Sequence, residues 1–390
     1  MKIGLLSALI AALIAILSLL SCGDRAGDRT PSAPGGGLPI SSSVSHLKYA
    51  HGFTIDYAGG YKEVKILNHS SGTSDTLDYL LLRDGAAIPP GHPHAQVIRI
   101  PLRSMIVMGS THIAQADFAG VAGLITGLGD GQYVNCPLVR EGLQKGRIKQ
   151  VGIESNLNEE MVIAMRPGVL MTMTNPDDAF GRYKTLIDAG IPILPNADWL
   201  ETTPLGKAEW VKLIGALTDR EDFVNRKFDS VEQQYRRLAA IGSAAPVKPS
   251  VIVAMPFKGI WYTPAGGSYV AQFLRDAGSN YHWADSKGAG SLALSFETVA
   301  PEALHADDWL NVGEVNSKKD ILAEDRRFGA FHSFQTGAIY NFNNRVNDLG
   351  SNDYWESGTV NPQIILADLI RILHPDLLPK DTLVYYKQLK

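Results

Sequence analysis

One stretch constrains this chain more than any other: Thr218 to Gly242, reading TDREDFVNRKFDSVEQQYRRLAAIG. Thr218 followed three residues later by Glu221 has the spacing of a capping box, which predicts a helix start. Val224, Phe228, Val231, Tyr235 and Leu238 recur at three- and four-residue intervals, so they share one helical face. Gly242 and Pro246 end the pattern. A helix of about 20 residues is roughly 30 Å long, the width of a small domain. With an α/β pattern on either side, it reads as a rigid spine between two lobes.

Composition agrees with two lobes. The chain has 390 residues, more than one core usually organises, with 45% hydrophobic and 19% charged residues. A net charge of -4 and no basic stripe argue against nucleic acid as a partner. Lys2 and the uncharged apolar run Ile3 to Leu20 form a secretory signal. Its ending, Leu19-Leu20-Ser21-Cys22, resembles a bacterial lipobox, which makes residues 1–22 a signal peptide and Cys22 the lipidated residue. The alternative is a membrane-spanning anchor, since 18 apolar residues nearly suffice. The Gly/Pro/Ser-rich segment that follows predicts a flexible tether over residues 23–50. Cys136 is then the sole remaining thiol, which rules out an intrachain disulfide and suits a small buried hydrophobe.

Beyond the tether the pattern alternates. Residues 53–67 predict a hairpin around Gly59-Gly60. Strands over 97–107, 151–153, 169–172 and 191–194 alternate with helices over 110–124, 159–165 and 179–189. Thr203 and Pro204 open a second central helix reaching Leu217. After the spine come strands over 250–255, 309–312 and 338–342. Helices over 268–277, 296–304, 321–328 and 361–373 alternate with them. This is the signature of mostly parallel sheets covered by helices. The fold class predicted is α/β, with two Rossmann-like lobes over 51–200 and 246–390 joined by a helical spine over 201–245.

Enzymatic motifs are missing. No G-x-S-x-G elbow, P-loop, dinucleotide fingerprint, H-E-x-x-H or paired-cysteine zinc pattern occurs. His92-Pro93-His94 is the nearest thing to a metal pair, and its prolines and glycines mark a surface turn. No metal site, cofactor or catalytic residue is predicted.

Several segments together carry a family resemblance. They are Ser110 to Ala114, Pro204 to Trp210, Ala265 to Gln272, Ser291 to Glu297, Asn352 to Gly358 and Leu366 to Ile370. The chain from Phe53 to Lys390 resembles the type III periplasmic substrate-binding proteins of ABC importers, which serve iron chelates, haem and B12-like corrinoids. The resemblance is to the lipoprotein versions from Bacteroidetes-like bacteria. It implies a ligand cleft between the lobes, an ABC permease and its ATPase as partners, a monomer, and a lipid-anchored, periplasm-facing location.

Candidate ligand contacts follow. Thr111 and His112 lie between a strand and a helix start, where open α/β sheets bind ligands; a capping role is the alternative for His112. Trp261 and Tyr262 follow the second lobe's first strand, and aromatics with polar tips suit a flat macrocycle. Lobe packing is the alternative for Trp261 and for Trp283, a further candidate. Asn343, Asn352, Tyr354 and Trp355 lie in or near the polar loop LGSNDYWESG. The resemblance also implies acidic docking residues for the permease: Glu297 on the second lobe, where helix-dipole matching is an alternative role, and Asp178 beside Asp177 on the first. The reading is a binding protein for an iron chelate or corrinoid. A chelatase-like or hydrolytic enzyme on a similar fold, and a permease-free haem scavenger, are the alternatives.

Overall fold

Thr218 closes a helix instead of opening one. Its Oγ1 donates to the Ile214 carbonyl at 2.7 Å, and Asp219 turns left-handed with φ 53°. The spine runs Glu221–Ser243, with Glu221 and Asp222 in its first turn, where the helix dipole favours negative charge. The capping-box expectation fails because the acidic groups here have another partner. Lys62 is fully buried and donates to the Ala216 carbonyl at 2.7 Å and to Asp219 Oδ1 at 2.8 Å, and it pairs with Glu221. A buried ammonium needs this many acceptors, and it fixes the kink between the two helices.

The computed structural model describes residues 44–67, 76–175, 181–380 and 382–390. The signal peptide, Cys22, most of the tether, and Asp177 and Asp178 lie outside the described residues. All described residues belong to one unit, Gly37–Lys390.

Four strands precede the first α/β sheet: β1 (Phe53–Ala58), β2 (Tyr61–Leu67), β3 (Thr76–Arg83) and β4 (Gln96–Ile100). β1 and β2 form the hairpin read from Gly59-Gly60, and β4 joins β3 in parallel. The first lobe's sheet contains β5 (Met105–Val107), β6 (Ile125–Leu128), β7 (Lys149–Gln150), β8 (Leu170–Thr172) and β9 (Ile193–Pro195). Its order is β7-β6-β5-β8-β9, with every pairing parallel. β5, β8 and β9 are buried throughout, as expected for strands covered on both faces.

The second lobe is built from β10 (Ser250–Val253), β13 (Asn280–Tyr281), β15 (Asp308–Leu310), β16 (Ile339–Asn341) and β17 (Lys387–Gln388). The order is β13-β10-β15-β16-β17, parallel except for β17. A small antiparallel sheet that the sequence reading missed projects from the carboxyl end of β10. It comprises β11 (Pro256–Phe257), β12 (Ile260–Pro264) and β14 (Ser291–Leu294).

Between the sheets stand three helices. Thr203 caps the first, Pro204–Glu209, by accepting the Gly206 N–H at 3.0 Å. Trp210 breaks it from Val211–Thr218, so the single helix expected over 203–217 is two. The spine's Val224, Phe228, Val231 and Tyr235 are buried. At its far end a β-carbon on Gly242 would sit 2.3 Å from the Asp276 carbonyl oxygen, so only glycine permits the contact between spine and second lobe.

The chain ahead of β1 is fastened to these helices. Glu209, fully buried, accepts the N–H groups of Lys48, Tyr49 and Ala50 at 2.7–3.0 Å. Glu201 accepts those of His51 and Gly52 at 2.9 Å and the Trp210 indole at 3.0 Å.

Candidate functional site

Parallel α/β sheets leave their ligand space beyond the carboxyl ends of the strands. In the first lobe that space is a hollow of about 400 Å³ lined by Val107, Gly109, Leu128, Asp130, Tyr133 and Met173, among others. The Tyr133 ring, the Ile153 side chain and the Met173 thioether are exposed there. Gly109 lets the floor form: a β-carbon on it would meet Met173 Sδ at 2.7 Å.

The ionisable groups lining the hollow are acids. Glu154 accepts the Met173 N–H at 2.7 Å and the Thr174 hydroxyl at 2.8 Å. Asp130 accepts the Gln132 N–H at 2.9 Å. Among the described residues, no lysine or arginine lines this hollow. Among the described residues, no group of three or more His, Cys, Asp and Glu could hold a metal ion.

The second lobe presents aromatic surface. Phe257 and Ile260 are exposed on the hairpin that extends β10, and Tyr262 beside them is 44% exposed. Trp355 is 51% exposed and packs edge-on against Phe342, 5.3 Å between centroids. The next residue, Glu356, bonds the N–H of Asn135 at 2.7 Å, two residues from Tyr133. The loops bearing Trp355 and Tyr133 are therefore joined.

Several expected contacts are corrected. Trp261 is 0% exposed; it donates Nε1 to the Val253 carbonyl at 2.8 Å and packs with Trp309 and Phe331. β12 puts alternate residues on opposite faces, so Trp261 fills the core and Tyr262 faces out. Tyr354 is 3% exposed, its ring 4.8 Å from Phe342.

His112 is also buried, its Cε1 3.4 Å from the place of a Gly109 β-carbon, so it lies under the floor. Burial lowers its pKa to about 3, against the opposing pull of the Asn196 and Met171 backbone. Thr111 is half-buried and donates to Asp198 at 3.3 Å.

Trp283 is half-buried against Tyr281 and His282, and Asn343 donates to the Val315 carbonyl and to Asn316. Asn352 caps a short turn through the Tyr354 N–H and donates to the Phe342 carbonyl. These polar groups serve the loop's own fold.

Glu297 is exposed in the first turn of Phe296–Ala303, a helix capped by Ser295. Its own backbone N–H, then the Ser295 hydroxyl, hold its carboxyl below the usual range. The acidic partner expected on the first lobe, Asp178, is outside the described residues.

Tyr133, Ile153, Met173 and Phe257 were not singled out from sequence. A signal was present: each follows closely on a short strand of a parallel sheet, the position that rule favours.

No protein-family profile matches the chain. An uncharacterized lipoprotein of Methanocaldococcus jannaschii is 29% identical over 292 residues, covering 72% of this chain and 67% of the relative. Among solved structures, a possible iron-binding (periplasmic solute-binding) protein from Staphylococcus epidermidis superposes with a TM-score of 0.55 at 18% identity. That match covers 70% of this chain and 99% of the other. The periplasmic vitamin B12 binding protein of Vibrio cholerae gives 0.50 at 14% identity, covering 72% and 99%. Strand order, central helices and these superpositions agree: the chain has the two-lobed α/β fold of the type III periplasmic solute-binding proteins.

Proposed function

We propose that this chain is the substrate-binding lipoprotein of an ABC importer, capturing an iron chelate, haem or a B12-like corrinoid between its lobes. The observation that carries the reading is the unpaired apolar surface at the strand ends. Tyr133, Ile153 and Met173 share the first-lobe hollow, and Phe257, Tyr262 and Trp355 are exposed on the second lobe. Large side chains exposed in a hollow, as the first-lobe trio is, are typical of ligand pockets. The names of the M. jannaschii relative and of the two solute-binding structures support the same reading.

The charge of the first-lobe hollow narrows the ligand. With Asp130 and Glu154 as its ionisable groups, it favours a flat neutral or cationic ligand over a polyanionic siderophore. On that charge, a neutral or cationic corrinoid is the ligand we infer.

Tryptophan-fluorescence titration of residues 23–390 tests this, with cobinamide, cyanocobalamin, haem and ferric siderophores as ligands and calorimetry as confirmation. Saturable one-to-one binding of cobinamide or cyanocobalamin, unchanged on release, is the expected result. Binding by none of the four classes would sink the proposal, and conversion of a ligand to product would replace it with the enzyme reading.

A further inference from the structure

One loop of the second lobe bonds directly to the first, ahead of the short helix Ser357–Val360 that packs on Ser110–Phe118. Glu356 reaches across to residues just ahead of the helix Pro137–Gln144: Oε1 accepts the Cys136 N–H at 2.6 Å and Oε2 the Asn135 N–H at 2.7 Å. Cys136 is that helix's N-cap residue and has no side-chain cap of its own. The carboxylate of one lobe thus caps a helix of the other, meeting amides that would otherwise be orphaned.

Three more contacts join the same two segments. Asn347 Nδ2 donates to the Val134 carbonyl at 3.0 Å, Asn135 Nδ2 donates to Ser351 Oγ at 3.0 Å, and Arg140 pairs with Asp348. All lie within residues 345–356.

That loop is also folded on itself. Arg345 Nε pairs with Asp353 at 2.7 Å, and the Asp353 N–H returns to the Arg345 carbonyl at 2.8 Å. Asn347 Oδ1 accepts the N–H groups of Leu349 and Ser351 at 2.9 and 3.0 Å. It can therefore let go of the first lobe without losing its own shape. Behind it lies a crevice of about 370 Å³, lined by Asp117, Lys227, Arg345, Glu356 and Asn361 among others, so the lobes are not packed solid there.

We propose that residues 345–356 are an interlobe clasp, with Glu356 as its catch, which sets how far the lobes part on the β6 flank of the cleft. The bonds named above are polar, and water can replace such bonds at small net cost. Burial pushes the Glu356 carboxyl up to about 7 against the pull of the two amides, so opening relieves a desolvation cost. The clasp bounds the cleft of the proposed binding function and rests on that reading only for its purpose.

The test uses ligand-free protein, so its failure is separate from any failure to bind ligand. Nitroxide labels at Glu160→Cys and Lys319→Cys, exposed helical sites on the two lobes, are placed in a Cys136→Ala background. Their separation is then read by pulsed electron resonance. The parent should give one narrow distance; Glu356→Ala with Asn347→Ala should give a longer and broader distribution. An unchanged distribution overturns the proposal.

Should that variant fail to fold, amide exchange on the unaltered protein decides. The N–H groups of Asn135 and Cys136 should exchange at least about tenfold faster than those of β5, through local opening. Exchange only in step with β5 overturns it.

Discussion

Met173 lies across the backbone of Gly109, its sulfur 2.7 Å from the point a β-carbon would occupy. The thioether floors the hollow only because that carbon is missing, and His112 sits sealed beneath it. We predict that Gly109→Ala displaces Met173 and weakens ligand binding about tenfold or more, a cost of at least ~1.4 kcal/mol. Calorimetric titration checks it. Gly109→Ala with parental affinity would mean that the floor is not a contact surface.

The two adjacent aromatics of β12 should behave in opposite ways. Trp261→Ala empties a core site and should cost about 3–5 kcal/mol of stability in a denaturant melt. Tyr262→Ala, on the outer face, should leave the melt nearly unchanged and lose roughly 1–2 kcal/mol of ligand affinity. Trp355→Ala should resemble Tyr262→Ala. If neither exposed aromatic matters for affinity, the cleft is wrongly placed.

Glu297 is exposed, fixed in the first turn of a capped helix, and touches nothing proposed for ligand. Glu297→Arg should therefore preserve affinity and abolish uptake through the permease. Transport by membrane vesicles carrying the importer is the readout, and full transport by the variant would remove the docking role.

Asp308 gives a pH dependence of definite sign. Burial, then the neighbouring Asp307, pushes its carboxyl from 3.8 up to about 7. The folded chain keeps this proton while the unfolded chain has already released it. Stability from this group is therefore greatest below pH 3.8, falls between 3.8 and 7, and stays low above. Asp308→Asn should raise Tm at pH 8, and the advantage should shrink as pH falls toward 4. Subtracting variant from parent matters, because His112, lowered to about 3, loses stability on acidification below 6.5. An advantage independent of pH would show that Asp308 is not the group responsible.

Local signals were legible in the sequence where chemistry and position coincide. Gly59-Gly60 marks a hairpin, Thr203 with Pro204 starts a helix, and Ser268 caps Tyr269–Asp276 by accepting the Ala271 N–H. Thr218 has the same capping chemistry, but the buried Lys62 lies more than 150 residues earlier in the chain and claims its acidic neighbours. Trp261 and Tyr262 illustrate a second limit. One residue of register exchanges core and surface, and register in β12 is set by pairing with β14 about thirty residues on. Glu356 and Cys136 lie 220 residues apart, and nothing local to either announces their contact.

The fastening of residues 48–52 has a mechanical consequence. Glu209 and Glu201 hold this segment against the helices between the lobes. A pull arriving from the leading end of the chain enters the molecule at the helices between the lobes, with almost no lever arm on either lobe. Tension arriving there would drag or turn the whole body, with little torque to separate the two lobes. A ligand held between the lobes, as proposed, would then be shielded from forces reaching the leading segment.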